Sequence, residues 1–193
     1  MRATAQIGHD IPVNQVPVAV LTIGHSTRST EDFISILMAH DIRVLADVRS
    51  YPASGRHPQF NQENLERSLA DSGIEYYHLR ELGGRRNPRP NSRNLALTNA
   101  GFRGYADYME TEEFREGIAR LEAMARSKRT AIMCAESVWW RCHRSLISDY
   151  LKARGTEVIH ILSATRTEPH RYTSAARVIN GELSYRGLFD STA

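Results

Sequence analysis

The chain has 193 residues, of which 41% are hydrophobic and 24% charged, with 25 Lys+Arg against 22 Asp+Glu and a formal net charge of +3. This is the composition of one globular domain large enough to bury a core without covalent staples. No apolar run approaches the roughly 18 residues a membrane span needs, and two cysteines cannot make a disulfide framework.

The first twenty residues lack the continuous apolar segment of a secretory signal, so the expected location is the cytoplasm, with the thiols reduced and no membrane partner. Residues 1–16 read as an N-terminal arm and 17–193 as a single domain. "VAVLTIG" at 18–24 is a short apolar run closed by glycine, as in a buried strand. "STEDFISILMAH" is a helix capped by Ser29, with Glu31 and Asp32 at its positive end and Phe33, Ile34, Leu37 and Met38 on its inner stripe. "RVLADV" at 43–48 is the second strand, and "YPASGRHPQF" is a loop. Asn61 caps a second helix carrying Leu65 and Leu69, with Phe60 and Leu65 as a hydrophobic staple. Strand three is "IEYYHL", 74–79.

The stretch from 80 to 103 carries Arg80, Arg85, Arg86, Arg89, Arg93 and Arg103 against Glu81 alone. Its glycines and prolines make it a long surface loop, and its charge favours an anionic partner. A helical face starts at Tyr105, Tyr108 and Met109. Thr111 caps the next helix, with Phe114, Ile118, Leu121 and Met124 inward. "TAIMCA" at 130–135 is strand four, "CHRSLISDYLKARG" a helix, and "EVIHIL" at 157–162 strand five. Asn180-Gly181 within "RVINGELSY" is a hairpin signal. The expected fold is α/β: one three-layer domain with a mainly parallel, about five-stranded sheet and a C-terminal hairpin.

In such sheets ligands bind beyond the carboxyl ends of the strands. Strand one ends on His25 and Ser26, strand two on Asp47 and Arg49, and strand four on Cys134 and Glu136. Strand three leads into Gly83, Gly84 and Arg85. The helix after strand four opens with Cys142, His143 and Arg144 just past Arg141. Basic side chains at the positive end of a helix call for an anion, which is either a ligand or an internal carboxylate such as Asp47 or Glu136. Trp139 and Trp140 are adjacent, so one is expected in the core and one, Trp140, as an exposed stacking surface.

Three chemistries use these residues. In the first, Asp47 and Glu136 act as general acid and base, with His143 as proton donor or orienting group. The substrate is then an anionic, phosphate-bearing molecule, a nucleotide or nucleic acid, bound by His25, Ser26, Arg49, Arg85, Arg141, Arg144 and Trp140. This makes the chain a hydrolase or transferase. In the second, the 80–103 loop binds nucleic acid without catalysis. In the third, Cys134, Cys142 and His143 form a metal or redox centre, although the Cys-to-Cys spacing is outside that of a short zinc knuckle. A thiol nucleophile is similar in outline to the anion loops of sulfurtransferases and cysteine phosphatases. Those loops place Arg six positions after Cys, where this chain has Trp140. No cofactor is required by any of the first-ranked residues.

Taken in order, "TIGHST", "ADVRSYPASGRHPQFN", "YYHLRELGGRR" and "CAESVWWRCHRSLI" resemble the bacterial and archaeal domain of unknown function 488 family over roughly residues 20–185. The matching residues include Gly24, His25, Ser26, Asp47, Arg49, Gly84, Cys134, Glu136, Cys142, His143 and Arg144. The resemblance implies one compact α/β domain in which these motifs meet. It implies no settled activity.

Overall fold

The structure, a computed structural model, describes residues 18–187. The N-terminal arm expected at 1–16 lies outside the described residues. Five parallel strands build the sheet: β1 (Ala19–Gly24), β2 (Val44–Asp47), β3 (Glu75–His78), β4 (Thr130–Cys134) and β5 (Glu157–Ser163). A sixth, β6 (Arg166–Pro169), adds antiparallel to β5, and the order across the sheet is β3-β2-β4-β1-β5-β6. The edge strand β6 is an addition to the five expected. Its sequence, Arg-Thr-Glu-Pro, has no apolar alternation because it is largely exposed.

The helices are α1 (Thr30–Ala39), α2 (Gln62–Ala70), α3 (Ala100–Met109), α4 (Glu112–Ser127) and α5 (Arg144–Ala153). The Ser29 hydroxyl accepts from the Asp32 amide at 3.0 Å, capping α1. Thr111 does the same for Phe114 at the start of α4. Asn99 caps α3 on the Phe102 amide, so this helix begins five residues before the aromatic face that signalled it. The preceding loop is tied down by Asp107, which accepts from the Arg89 amide, Ser92 and Asn94.

Two cores flank the sheet. Phe33, Leu37, Leu65 and Leu69 cover one face, against Leu21, Ile23, Leu45 and Met133. Tyr105, Phe114, Ile118, Leu146 and Leu151 cover the other, against Val20, Ala46, Ile132 and Val158. Each fully buried aliphatic or aromatic side chain contributes about 1.5–3 kcal/mol.

This division follows from handedness. The crossovers from β1 to β2 and from β2 to β3 run towards one edge, and those from β3 to β4 and β4 to β5 run back. Right-handed crossovers in opposite directions must lie on opposite faces. The neighbours β1 and β4 therefore send their outgoing loops apart, opening a crevice at their carboxyl ends. The C-terminal hairpin pairs β7 (Arg177–Ile179) with β8 (Glu182–Ser184), and Asn180 and Gly181 both have positive φ, 52° and 83°. Two such residues give the twist that fits a two-residue hairpin loop.

Candidate functional site

A cleft of about 710 Å³ opens at this crevice and draws on the ends of β1 to β4. His25 comes from β1, Arg49 through His57 from β2, Gly84 and Arg85 from beyond β3, and Cys134, Glu136, Arg141, Cys142 and His143 from the β4 end. The volume lies in the range of small-ligand sites. A second hollow of about 350 Å³, beside Tyr150 and Tyr185, lies away from the strand ends.

Main-chain bonds carry the β1–β4 ladder past the strand ends. The His25 amide donates to the Cys134 carbonyl at 3.0 Å and the Ser26 amide to Ala135 at 2.9 Å. Gly24 is required here, because a methyl group would run into the carbonyl of Glu136. Ser26 turns the chain away with φ 53° and does not line the cleft.

Arg49 is the best-held cationic group. Its Nε donates to both oxygens of Asp47 at 2.9 and 3.0 Å, and Nη2 donates to Asp47 Oδ2 at 2.5 Å and to the Phe60 carbonyl at 2.8 Å. Asp47 also accepts from the Arg49 amide and from the Tyr76 hydroxyl. Burial works against the Arg49 charge, but the contact with Asp47 outweighs it and raises its pKa. Burial, and then the Asp47 charge, push the Tyr76 hydroxyl up, so it remains a donor. Asp47 itself is fully buried and its oxygens are taken. The base expected at Asp47 is thus placed behind Arg49 rather than in the cleft. Tyr76, its partner from β3, was not singled out in the sequence.

His25 stacks on Phe60 with ring centres 4.1 Å apart. Its Nδ1 lies 2.9 Å from the Ser26 carbonyl and so carries the proton, leaving the Nε2 lone pair towards Arg49 Nη1 at 3.4 Å. Burial lowers its pKa to about 4, and the Arg49 charge acts in the same direction. His25 is therefore neutral at pH 7. His57, which sequence reasoning passed over inside its loop, packs edge-on to His25 and joins the lining.

His143 points its Nε2 at the Val48 carbonyl, 3.0 Å away. That bond fixes the proton on Nε2 and leaves Nδ1 towards two sulfurs, Cys142 at 3.6 Å and Cys134 at 4.0 Å. A methyl group at Gly84 would occupy the His143 ring position. Contact with Cys142, reinforced by burial, pushes the Cys134 thiol up. Cys142 is held down by the same contact and by His143 and Arg144.

Arg144, expected to hold substrate, is instead 1% exposed and does not line the cleft. It donates to the main-chain carbonyl of Glu136 and, at 3.4 Å, to the Thr22 hydroxyl. The internal partner expected for it is thus a carbonyl and not a carboxylate. From Thr22 a buried relay runs to His160 Nδ1 at 2.7 Å, from His160 Nε2 to His170 Nδ1 at 2.9 Å, and from His170 Nε2 to Asp149 at 2.9 Å. Arg144 can only donate and the Asp149 oxygens accept here, so each group between passes on one donor and one acceptor. Thr173 and Tyr185 close the Asp149 end. Trp139 stacks on His160 at 4.1 Å, while Trp140 is 56% exposed outside the cleft lining.

Of the residues selected from the sequence, the structure gathers His25, Arg49, Arg85, Glu136, Arg141 and His143 around one cleft, with Cys134 and Cys142 at its wall. Asp47, Ser26, Arg144 and Trp140 fall outside that lining. Among the described residues no helix is long and apolar enough to cross a membrane.

Fold and cleft together define an α/β domain with a polar site at the carboxyl ends of a mainly parallel sheet. The family model for the domain of unknown function DUF488 matches residues 29–151, and the chain belongs to that family. Neither the curated proteins nor the solved structures contain a match to it.

Proposed function

We propose that the chain is an enzyme, a hydrolase or transferase, that acts on a phosphate-bearing substrate bound at the β1–β4 cleft. One observation carries this reading. The lining holds three arginines, Arg49, Arg85 and Arg141, against one carboxylate, Glu136. Arginines lining a concave site suit the oxygens of a phosphate or carboxylate. Arg49 is the preorganised member, since Asp47, itself held by Tyr76, and the Phe60 carbonyl fix it and only its Nη1 edge remains towards His25. Arg85 and Arg141 are exposed and add positive charge to the lining.

Glu136 is the candidate acid or base, because it is exposed in the lining and lies two residues beyond the end of β4. His57 is available for the complementary proton transfer. Asp47 becomes a positioning residue for Arg49. The non-catalytic nucleic-acid reading is less favoured, because two arginines of its loop have internal partners. Arg86 lies 3.5 Å over the Tyr108 ring, and Arg89 pairs with Glu110 at 2.8 Å.

The test is turnover of phosphomonoesters, nucleoside di- and triphosphates and short oligonucleotides, followed as phosphate or product release. Glu136→Gln should lower kcat by about 10²–10⁴-fold with binding retained. Turnover unchanged in that variant would remove Glu136 from the role. Salt-sensitive oligonucleotide binding without turnover of any substrate would favour the binding module.

A further inference from the structure

We propose that Cys134 Sγ, Cys142 Sγ and His143 Nδ1 are three protein ligands of a divalent cation of the zinc class, at the wall of the cleft. The three donor atoms lie within 4.8 Å of one another. Around a tetrahedral zinc ion, with bonds of about 2.3 Å to sulfur and about 2.05 Å to nitrogen, a sulfur–nitrogen edge measures about 3.6 Å. The observed separations from Nδ1 are 3.6 Å to Cys142 and 4.0 Å to Cys134.

The donor set is also oriented as a metal site requires. A metal-bound histidine usually donates its other ring nitrogen to a carbonyl or carboxylate, which fixes the tautomer and aims the free lone pair. His143 has that arrangement, with Nε2 bonded to the Val48 carbonyl at 3.0 Å. Gly84 leaves the space its ring occupies. All three residues are less than a tenth exposed. Two sulfurs and an imidazole select a borderline-soft ion over Mg²⁺ or Ca²⁺.

Among the described residues these three form the complete cluster of His, Cys, Asp and Glu donors, with no fourth side chain in it. All three border the cleft. Three protein ligands with the fourth position supplied from a cleft is the pattern of catalytic rather than structural zinc. The spacing that argued against a zinc knuckle is bridged by the fold. The 3₁₀ turn at Trp139–Arg141 returns the chain so that Cys142 meets Cys134 at the strand end.

Binding takes both cysteines as thiolates, and any thiol proton still held is released to solvent. The inference does not depend on the phosphate reading, because it is tested on the chain alone. Reduced protein, freed of metal with a chelator, is titrated with Co²⁺ and then Zn²⁺. The expected result is one Co²⁺ per chain, with tetrahedral d–d bands and thiolate-to-cobalt charge-transfer absorption, both abolished by one equivalent of Zn²⁺. Cys134→Ser and Cys142→Ser should each weaken Zn²⁺ binding at least about a hundredfold. A cysteine variant can fail to fold, but the wild-type spectrum decides by itself. Absence of stoichiometric uptake, or Co²⁺ bound without charge-transfer absorption, would overturn the assignment.

Discussion

Arg49 is gripped from behind by Asp47 and turns its remaining edge towards His25: Nε and Nη2 meet the carboxylate, while Nη1 lies 3.4 Å from His25 Nε2. The pair is buried, with Arg49 6% and Asp47 0% exposed. Removing one partner leaves an uncompensated buried charge. Asp47→Asn is therefore expected to cost about 3–5 kcal/mol in urea unfolding. Tyr76→Phe removes one of several donors to the same carboxylate and should cost only about 1 kcal/mol. Equal losses in the two variants would contradict this division of labour.

The relay beneath α5 gives two substitutions with opposite signs. Thr22→Val keeps the shape but leaves His160 Nδ1 and Arg144 without the hydroxyl between them, so stability should fall by about 1–3 kcal/mol. Ser148, by contrast, is fully buried and its Oγ has no partner among the described residues. Ser148→Ala removes a desolvated hydroxyl and puts the best helix former into α5. Its unfolding midpoint should rise, by about 1 kcal/mol of stability.

Two histidines make the fold sensitive to acid. Burial lowers His25 to about 4, and burial together with His170 and Arg144 lowers His160 to about 3. An unfolded histidine titrates at about pH 6.5. The stabilisation is fully present above that pH. Below it the unfolded chain binds protons that the folded chain refuses, so stability falls by about 1.4 kcal/mol per pH unit for each histidine. The His25 contribution levels off near pH 4 and that of His160 near pH 3. His160→Gln should make the decline between about pH 6 and pH 4.5 shallower by about 1.4 kcal/mol per pH unit, read from urea midpoints across the range. An unchanged slope would show that His160 is not held neutral.

Much of the architecture was legible because it depends on local signals. Apolar runs ending in polar residues marked β1, β2 and β4, and Asn180-Gly181 marked the hairpin, because positive φ at both positions is what such a turn needs. The strand-end rule brought His25, Arg49 and Glu136 to one place, and the basic helix start after β4 added Arg141. What stayed hidden depends on contacts across the chain. Nothing local shows that Tyr76 and Arg49 occupy the oxygens of Asp47, or that Arg144 is buried on a carbonyl when arginine belongs by default on the surface. The Cys134–Cys142–His143 cluster was obscured by a spacing that only the intervening turn brings together. The exposed edge strand β6 has no hydrophobic face to announce it.

The proposed function requires that the β1–β4 cleft bind a phosphate-bearing ligand through its arginines. Calorimetric titration of a nucleoside diphosphate such as ADP into the wild-type chain and into Arg141→Ala tests it most directly, since Arg141 is exposed and its truncation leaves the core alone. One saturable site per chain is expected, with affinity at least about tenfold weaker in the variant, or about 1.4 kcal/mol. No saturable binding by the wild-type chain, or equal affinity in the two proteins, would contradict the claim.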